Sequence, residues 1–192
     1  MEVVDIVGRQ LAKKCRVELL SPENDWGRSF HLSRLKGLST ETRSFNFKLL
    51  HQLLPVNQRL SQILPNNQAD CSLCRLGELE SLQHCFFSCE YNSQAAQYLV
   101  HLTRPYVQNI TEERILLFDI KTADAIYELP TMLVLATGLS YIWKNRVDKK
   151  RTSLYQIRAE LECLVTLLRK TRSRVLREAG SMIENTMINF PL

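Results

Sequence analysis

"CSLCRLGELESLQHCFFSC", residues 71–89, is the stretch that decides how this chain folds. It holds four of the chain's six cysteines and one of its four histidines. Cys71 and Cys74 are followed, after nine intervening residues, by His84 and Cys89, in the pattern C-x2-C-x9-H-x4-C. Two ligands on a tight turn can bind one ion from the same side, and the intervening loop lets the second pair complete a tetrahedron. Thiolate and imidazole suit Zn²⁺, so the pattern predicts a zinc site.

A site with four protein ligands is structural, because no coordination position stays open for a substrate. Its binding free energy becomes folding free energy for a segment with little apolar core of its own. Cys85 offers an alternative, since Cys71, Cys74, Cys85 and Cys89 would form an all-cysteine site. His84 and Cys85 are adjacent and point in different directions, so only one of them is expected to bind the ion. Four reduced cysteines without a metal are the third interpretation.

The other cysteines and histidines show no catalytic pattern. Cys15 and Cys163 are isolated and are predicted to be buried small hydrophobic residues. His31, His51 and His101 each stand alone, and surface or capping roles are predicted for them. The chain lacks the H-x-E and P-C-x-x-C of zinc deaminases, H-E-x-x-H, the phosphate-binding G-x-x-x-x-G-K-[ST], and G-x-S-x-G. We therefore expect no enzyme activity and no small-molecule substrate.

Apolar residues on both sides of this segment recur at helical spacing, and no alternating run predicts a strand. The predicted fold class is mainly α: a helical domain with an embedded small zinc-knuckle-like segment and a long basic C-terminal helix. Three parts are expected, namely a helical lead-in over 1–65, a zinc-binding segment over 66–92 and a helical region over 93–192 that carries the basic amphipathic helix. The predicted elements are a helix over Val3–Leu11, a loop over 21–30, a helix capped by Ser39 and ended by Pro55, a helix over Asn57–Leu64, a helix capped by Ser93, a helix or strand over 111–120, a buried helix over Leu129–Asn145, and an amphipathic helix over Thr152–Arg177 that Gly180 ends.

The net charge of +5 is unevenly distributed. Residues 144–177 contain 11 Lys or Arg residues against three acidic ones, a net charge of +8, so the rest of the chain sums to −3. Such a block is a candidate contact for nucleic-acid phosphates, although a solvated helix face is the more ordinary interpretation. The predicted nucleic-acid contacts are Lys149, Lys150, Arg151, Arg169, Lys170, Arg172 and Arg174. Phe86, Phe87 and Tyr91 are candidates for stacking on unpaired bases, but Phe86 and Phe87, like Trp143, are better explained as core residues.

Two functions compete for these features. The first is a non-catalytic nucleic-acid-binding module for RNA or DNA. The second is a protein-interaction module, in which the Leu, Ile and Val stripe of the long helix pairs with a partner helix and zinc only holds the fold. Salt separates them, because phosphate binding weakens steeply with salt and apolar helix pairing does not. A third interpretation is that the chain has no function as a separate protein.

The sequence also predicts a compartment. The N-terminus carries early acidic residues and no continuous apolar segment, so no secretory signal is expected. The longest apolar stretch, Met132–Trp143, is shorter than the roughly 20 residues that span a bilayer and predicts a buried helix. We expect an intracellular, reducing location without membrane attachment, where cysteines more often bind metal than form disulfides. The sequence KNRVDKKR, residues 144–151, is a weak indication of the nucleus.

Beyond single motifs, residues 42–89, TRSFNFKLLHQLLPVNQRLSQILPNNQADCSLCRLGELESLQHCFFSC, resemble the zinc-binding region that follows the reverse transcriptase in LINE-type (non-LTR) retrotransposon proteins. The shared features are an aromatic and Leu-rich helix, an Arg-Leu helix, C-x2-C, an acidic stretch, and a His followed five positions later by Cys. Here these are the stripe Phe45–Leu54, Arg59 with Leu60, Cys71 with Cys74, Glu78 with Glu80, and His84 with Cys89. Residues 129–180 also look like the tail of such open reading frames.

The resemblance implies that Cys71, Cys74, His84 and Cys89 are the metal ligands, which ranks His84 above Cys85. It also implies a nucleic-acid-handling accessory domain that holds template RNA or target DNA during target-primed reverse transcription. The chain has no [YF]-x-D-D polymerase motif and no recognisable endonuclease core, so polymerisation is not expected of these residues. The chain therefore looks like an isolated C-terminal piece of such a protein.

Overall fold

Helices account for the regular structure in the computed structural model, which describes residues 35, 37–64, 66–74 and 76–190. The α-helices are α1 (Thr40–Leu50), α2 (Asn57–Ile63), α3 (Ser93–Thr103), α4 (Glu112–Leu117), α5 (Glu128–Val147), α6 (Leu154–Arg169) and α7 (Arg174–Asn189). A π-helical turn spans His84–Ser88, and 3-10 turns span Arg104–Tyr106 and Ala125–Tyr127.

Extended pairing among the described residues is limited to two isolated bridges, Asp70 with Leu79 and Val107 with Thr122. The prediction of a mainly α fold is therefore confirmed. The predicted helix over Val3–Leu11 and the loop over 21–30, together with Cys15 and His31, lie outside the described residues. The division into three parts at residues 65 and 92 stays a prediction.

Helix α5 is the centre of the core. It packs against α1, α3, α6 and α7, and every residue from Pro130 to Leu139 is buried. The predicted buried helix is thus confirmed, but it is longer than its apolar run. By length and composition alone, Ala125–Val147 could cross a membrane, with a mean hydropathy of 1.3, and 61% of that window is buried inside the protein. A core helix explains this burial.

The predicted long helix over Thr152–Arg177 is wrong in its extent, because the chain forms a helical hairpin instead. Helix α6 ends at Arg169, and α7 begins at Arg174 after Ser173, whose side chain accepts a hydrogen bond from Leu176 N. Gly180 lies buried within α7 rather than ending a helix. An added Cβ at Gly180 would lie 3.1 Å from Leu168 Cβ, so the glycine allows α6 and α7 to approach closely.

The bounds and caps of α1, α2 and α4 agree more closely with those predicted from the sequence. Ser39 caps α1 as predicted and accepts a hydrogen bond from Thr42 N, and α2 follows its predicted range to within one residue. Helix α1 ends at Leu50, five residues before Pro55. Gln52, two residues after the helix end, takes a left-handed conformation with φ of 51°. The ambiguous 111–120 stretch contains α4, capped by the side chain of Thr111.

Two other predictions differ from the structure. Asn92, not Ser93, is the cap residue of α3, and it makes no capping hydrogen bond with its side chain. Cys163 is exposed on α6 instead of buried, because it lies on the side of the helix opposite the apolar stripe.

Candidate metal centre

The structure brings Cys71, Cys74, His84 and Cys89 together in one buried cluster. Their four candidate ligand atoms all lie within 4.8 Å of one another. The Sγ atoms of Cys71 and Cys89 are 4.0 Å apart, and Cys74 Sγ is 3.5 Å from His84 Nε2. A tetrahedron with Zn–S bonds of about 2.3 Å has edges of about 3.8 Å. The cluster therefore fits one tetrahedral zinc ion held by three thiolates and one imidazole.

The first ligand pair lies on a short loop, residues 69–80, which we call the Cys71 loop. Its ends are joined by hydrogen bonds from Cys71 N to Glu78 O, at 2.7 Å, and from Glu80 N to Ala69 O, at 2.9 Å. Gly77 takes a φ of +69°, a left-handed conformation that costs other residues energy. These features turn the chain back sharply and leave Cys71 and Cys74 facing the same point.

The second pair lies on the π-helical turn. Residues five apart in an α-helix point about 140° away from each other, since each residue advances about 100°. Here Cys89 N donates to His84 O at 2.8 Å, an i to i+5 bond that widens the turn. His84 and Cys89 thereby face the cluster together. Such local widening of a helical turn is frequent at functional sites.

Cys85 lies outside the cluster. Its side chain is 1% exposed and belongs to the main hydrophobic core, whereas Cys71, Leu73, Cys74 and Cys89 form a small separate one. Burial, followed by the nearby Glu80 carboxylate, raises the pKa of the Cys85 thiol, which favours the neutral form. The structure thus groups His84, not Cys85, with the three cysteines, as the resemblance implies. That these four atoms are the ligands stays a prediction.

Acidic side chains surround the cluster. His84 Nδ1 lies 2.9 Å from Glu78 Oε2 without the geometry of a hydrogen bond, and Nε2 faces Cys74 Sγ at 3.5 Å. Burial raises the pKa of the Cys89 thiol to about 12, and burial also raises that of Cys71. Metal binding must therefore displace protons from these thiols.

Glu80 connects the Cys71 loop to the helical core. Its carboxylate is fully buried and accepts hydrogen bonds from Asn57 N, at 2.7 Å, and from Arg146 Nε, at 3.0 Å, with a further contact to Arg146 Nη2. On its other side, Glu80 Oε1 is 3.9 Å from Cys71 Sγ. Buried carboxylates require such partners, because an unpaired buried charge is strongly destabilising.

Arg146 is therefore not a solvent-exposed member of the basic block, although the charge pattern counted it as one. Although burial opposes its charge, hydrogen bonding to Glu80 raises the pKa of Arg146. The guanidinium also lies over the Trp143 ring, 5.1 Å from its centroid. Nothing in the sequence pairs residues 80 and 146, which are 66 positions apart.

A second polar connection joins the end of the zinc segment to the start of α6. Thr152 Oγ1 donates to Asn92 Oδ1 at 3.1 Å, and Asn145 Nδ2 donates to Thr152 Oγ1 at 3.2 Å. Asn92 Nδ2 in turn donates to Cys85 O at 2.9 Å. All three side chains are buried, so their mutual hydrogen bonds offset the loss of water.

The predicted nucleic-acid contacts do not share one helix face. They form two groups, Lys149–Arg151 after α5 and Arg169–Arg174 between α6 and α7. Helix α6 separates the groups and, with 16 residues at 1.5 Å each, is about 24 Å long. The expectation of a single basic helix is therefore wrong, while contact with nucleic acid stays a prediction.

All seven of these basic side chains are exposed. Lys150 pairs with Asp148 at 3.2 Å, Arg174 pairs with Glu178 at 2.7 Å, and Arg169 pairs with Glu184. Exposed ion pairs contribute only about 0–1 kcal/mol, so these partners do not prevent a contact with phosphate.

The aromatic candidates for base stacking behave largely as core residues. Phe86 is fully buried and packs against Phe45 and Trp143, at ring-centroid distances of 6.1 and 6.3 Å. Phe87 is buried as well. Tyr91, which is half-buried, packs against the small cysteine cluster.

All four clustered residues fall within one family match. Residues 20–95 match the family model for zinc-binding in reverse transcriptase. The match covers less than half of the 192 residues and confirms the resemblance to a reverse-transcriptase zinc-binding region, while the LINE-type attribution stays a prediction. Together with the Cys3His geometry it identifies zinc as the cofactor that suits the site. No curated protein and no solved structure matches the chain.

Proposed function

We propose that this chain is a non-catalytic, zinc-stabilised nucleic-acid-binding accessory domain. The observation that carries the proposal is the buried Cys3His cluster, which lies within the match to the reverse-transcriptase zinc-binding family. The proposal also states that the chain resembles the C-terminal part of a non-LTR retrotransposon reverse transcriptase protein. The chain itself would lack the polymerase core of such a protein.

The zinc ion would be structural in this proposal. Cys71 and Cys74 would hold it from the Cys71 loop, and His84 and Cys89 would hold it from the π-helical turn. Four protein ligands leave no coordination position for substrate, so bound zinc supplies a cross-link rather than a Lewis acid. The chain's own contribution is to orient the ligands, through Glu78 beside His84 and Glu80 beside Cys71.

Nucleic-acid phosphates are the proposed partner of the exposed basic residues. Lys and Arg bind phosphate with the release of condensed counterions, so affinity falls steeply as salt rises. Two separate basic groups, about 24 Å apart along α6, would contact an extended RNA or DNA backbone. An intracellular, nuclear location belongs to the same proposal and would be tested by imaging a fluorescent fusion with and without Lys149 and Lys150.

Fluorescence anisotropy with labelled single-stranded RNA, single-stranded DNA and duplex DNA tests the proposal. We expect binding whose logarithm falls linearly with the logarithm of the salt concentration. Replacing a phosphate-binding Lys or Arg by Gln should reduce the slope by about 0.7 to 0.9 for each side chain replaced. Lys121→Gln is the matched control, since Lys121 is an exposed lysine outside both basic groups. Absence of binding at low salt, or binding that ignores salt, would reject the proposal.

A protein-interaction module is the second candidate function, but its interaction surface would differ from the one expected from the sequence. The apolar stripe of α6 is buried in the protein's own core and so is not a free surface for a partner helix. A different set of apolar side chains is exposed near the Cys71 loop, namely Ile63, Leu64, Leu76 and Leu79, with Leu76 at 63%. Analytical ultracentrifugation at low and high salt would test it. Self-association that persists at high salt and disappears in Leu76→Lys would favour this candidate over phosphate binding.

A further inference from the structure

We propose that the two basic groups are two distinct phosphate-contact surfaces and that only one of them depends on zinc. The first is the basic loop, Lys149–Arg151, and the second is the basic turn, Arg169–Arg174. The inference rests on the proposed function, because it assigns the surfaces that would meet nucleic acid. It states that the zinc segment, residues 66–92, holds the basic loop in place and leaves the basic turn unaffected.

The N-terminal end of the basic loop is attached to the first ligand pair. Arg146 lies three positions before Lys149 and binds the buried carboxylate of Glu80 through Nε, at 3.0 Å, and through Nη2. Glu80 is the last residue of the Cys71 loop, and its Oε1 lies 3.9 Å from Cys71 Sγ. A change in the position of the Cys71 loop must therefore be transmitted to Arg146.

The C-terminal end of the basic loop is attached to the second ligand pair. Thr152 follows Arg151 directly, and its N donates to Tyr91 O at 3.2 Å while its Oγ1 donates to Asn92 Oδ1 at 3.1 Å. Asn92 N donates to Cys89 O at 2.9 Å, so this anchor lies three residues from a candidate ligand. Both ends of the basic loop thus depend on residues that zinc would cross-link.

The loop between these anchors is conformationally strained. Lys149 takes a φ of 54°, in the left-handed region that a residue with a Cβ adopts at a cost. Lys150 N donates to Asn145 O at 2.8 Å, and the Asn145 side chain joins Thr152 across the base of the loop. Lys149 N also donates to Arg146 O at 3.1 Å, so hydrogen bonds within α5 close this turn, and the anchors act on the loop by fixing Arg146 before it and Thr152 after it.

The basic turn is held by contacts within the hairpin of α6 and α7. Arg177 Nη1 donates to Thr171 O at 2.9 Å and to Arg172 O at 3.0 Å. Thr171 Oγ1 donates to Leu168 O at 2.9 Å. These contacts are all local to the hairpin, so the turn should keep its shape when zinc is removed.

Hydrogen exchange measured by mass spectrometry on the full chain tests the coupling without nucleic acid. Thr152→Val removes the anchoring hydroxyl with little change in shape and leaves the zinc ligands intact, which native mass spectrometry would verify. Removal of a buried hydrogen bond should raise exchange at Asp148–Lys150 by about fivefold. Thr166→Val is the matched control, because Thr166 is exposed and donates only to Glu162 O within α6.

Zinc removal by a chelator should produce the same faster exchange at the basic loop and no change at the basic turn. Unchanged exchange at the loop in zinc-loaded Thr152→Val would overturn the proposal, as would equal acceleration at loop and turn. If the chelated chain unfolds as a whole, the Thr152→Val result alone decides, since that variant is measured with zinc bound.

Nucleic-acid binding then tests the assignment of surfaces. The triple change of Lys149, Lys150 and Arg151 to Gln should weaken binding of a labelled RNA or DNA more in the wild-type background than in Thr152→Val. The double change of Lys170 and Arg172 to Gln should weaken it equally in both backgrounds. Equal effects for the triple change would overturn the zinc-dependent surface. Failure of the wild-type chain to bind any nucleic acid would instead reject the proposed function, while the exchange data would still judge the coupling.

Discussion

The Cys71 loop and the hairpin of α6 and α7 bury very different amounts of apolar surface. Around the loop, the separate cluster contains Cys71, Leu73, Cys74 and Cys89, with Tyr91 packed beside it. The hairpin contributes a continuous stripe to the main core, and Leu161 and Leu168 within it are fully buried. Burial of a Leu side chain contributes about 1.5–3 kcal/mol, so the hairpin is stabilised by apolar packing and the loop is not.

This difference predicts that the Cys71 loop depends on a metal and on the Glu80–Arg146 ion pair while the hairpin does not. Three of the four residues in the small cluster are the cysteines themselves, so removing the metal would leave little else to hold them. Apparent binding free energies of structural zinc reach about 10–16 kcal/mol in zinc-finger peptides. The loop also relies on Glu80 and Arg146, whose pairing joins it to α2 and α5.

The largest expected effect is the loss of zinc from the Cys71 loop when His84 is replaced. Native mass spectrometry should find one zinc per chain in the wild type and in Cys85→Ala, and none in His84→Ala, because His84 lies in the cluster and Cys85 in the core. The hairpin should keep its helical circular dichroism in all three, since its core excludes the cluster.

Cys163→Ser is the control for that series, because Cys163 is exposed on α6. Zinc that stays bound in His84→Ala and is missing from Cys85→Ala would replace the proposed ligand set with four cysteines. Zinc absent from every variant would show that this region folds without a metal.

The next effect concerns the ion pair that joins the Cys71 loop to α5. Glu80→Gln should lower the free energy of unfolding by about 3–5 kcal/mol, because it leaves the charge of Arg146, whose side chain is only 12% exposed, without its partner. Denaturant unfolding followed by circular dichroism measures the change. Adding Arg146→Met to Glu80→Gln should restore part of this stability, and a double variant less stable than either single variant would contradict the pairing.

On the hairpin side, Leu161→Ala should lower the free energy of unfolding by about 2–5 kcal/mol, as is usual for a fully buried leucine. Leu167→Ala is the matched control, since Leu167 is 62% exposed on the same helix and should change stability by less than about 0.5 kcal/mol. Zinc stoichiometry should stay at one in both. Similar destabilisation in the two variants would mean that the buried face of α6 is assigned wrongly.

The smallest expected effect is that of replacing Gly77 in the Cys71 loop. Gly77 has a φ of +69° and no atom within 4 Å of an added Cβ, so Gly77→Ala adds backbone strain without a clash. A cost of about 1 kcal/mol should weaken zinc binding roughly fivefold in competition with a chromophoric chelator. Gly77→Asn should weaken it less, because Asn tolerates the left-handed region better. Stronger binding in Gly77→Ala than in Gly77→Asn would argue against this conformation.

Features that depend on neighbouring residues were predictable from the sequence. The cysteine and histidine spacings confined the cluster to Cys71, Cys74, Cys89 and either His84 or Cys85, and Ser39 was recognisable as the cap of α1. The apolar content of Met132–Trp143 was sufficient to predict a core helix. Ligand type, capping and helical periodicity all act within a few positions along the chain, so the sequence alone determined them.

Tertiary structure decided the features that depend on distant residues. Glu80 meets Arg146 across 66 positions, which makes a residue counted in the basic block a largely shielded partner of the Cys71 loop. Periodicity could not separate one long helix from the α6–α7 hairpin, because both members present apolar residues to the same core. The π-helical turn that groups His84 with the cysteines, and leaves Cys85 in the core, likewise depends on how Cys85, Phe86 and Phe87 pack against other helices. Such packing brings together residues that are far apart in the chain, and so local patterns carry little information about it.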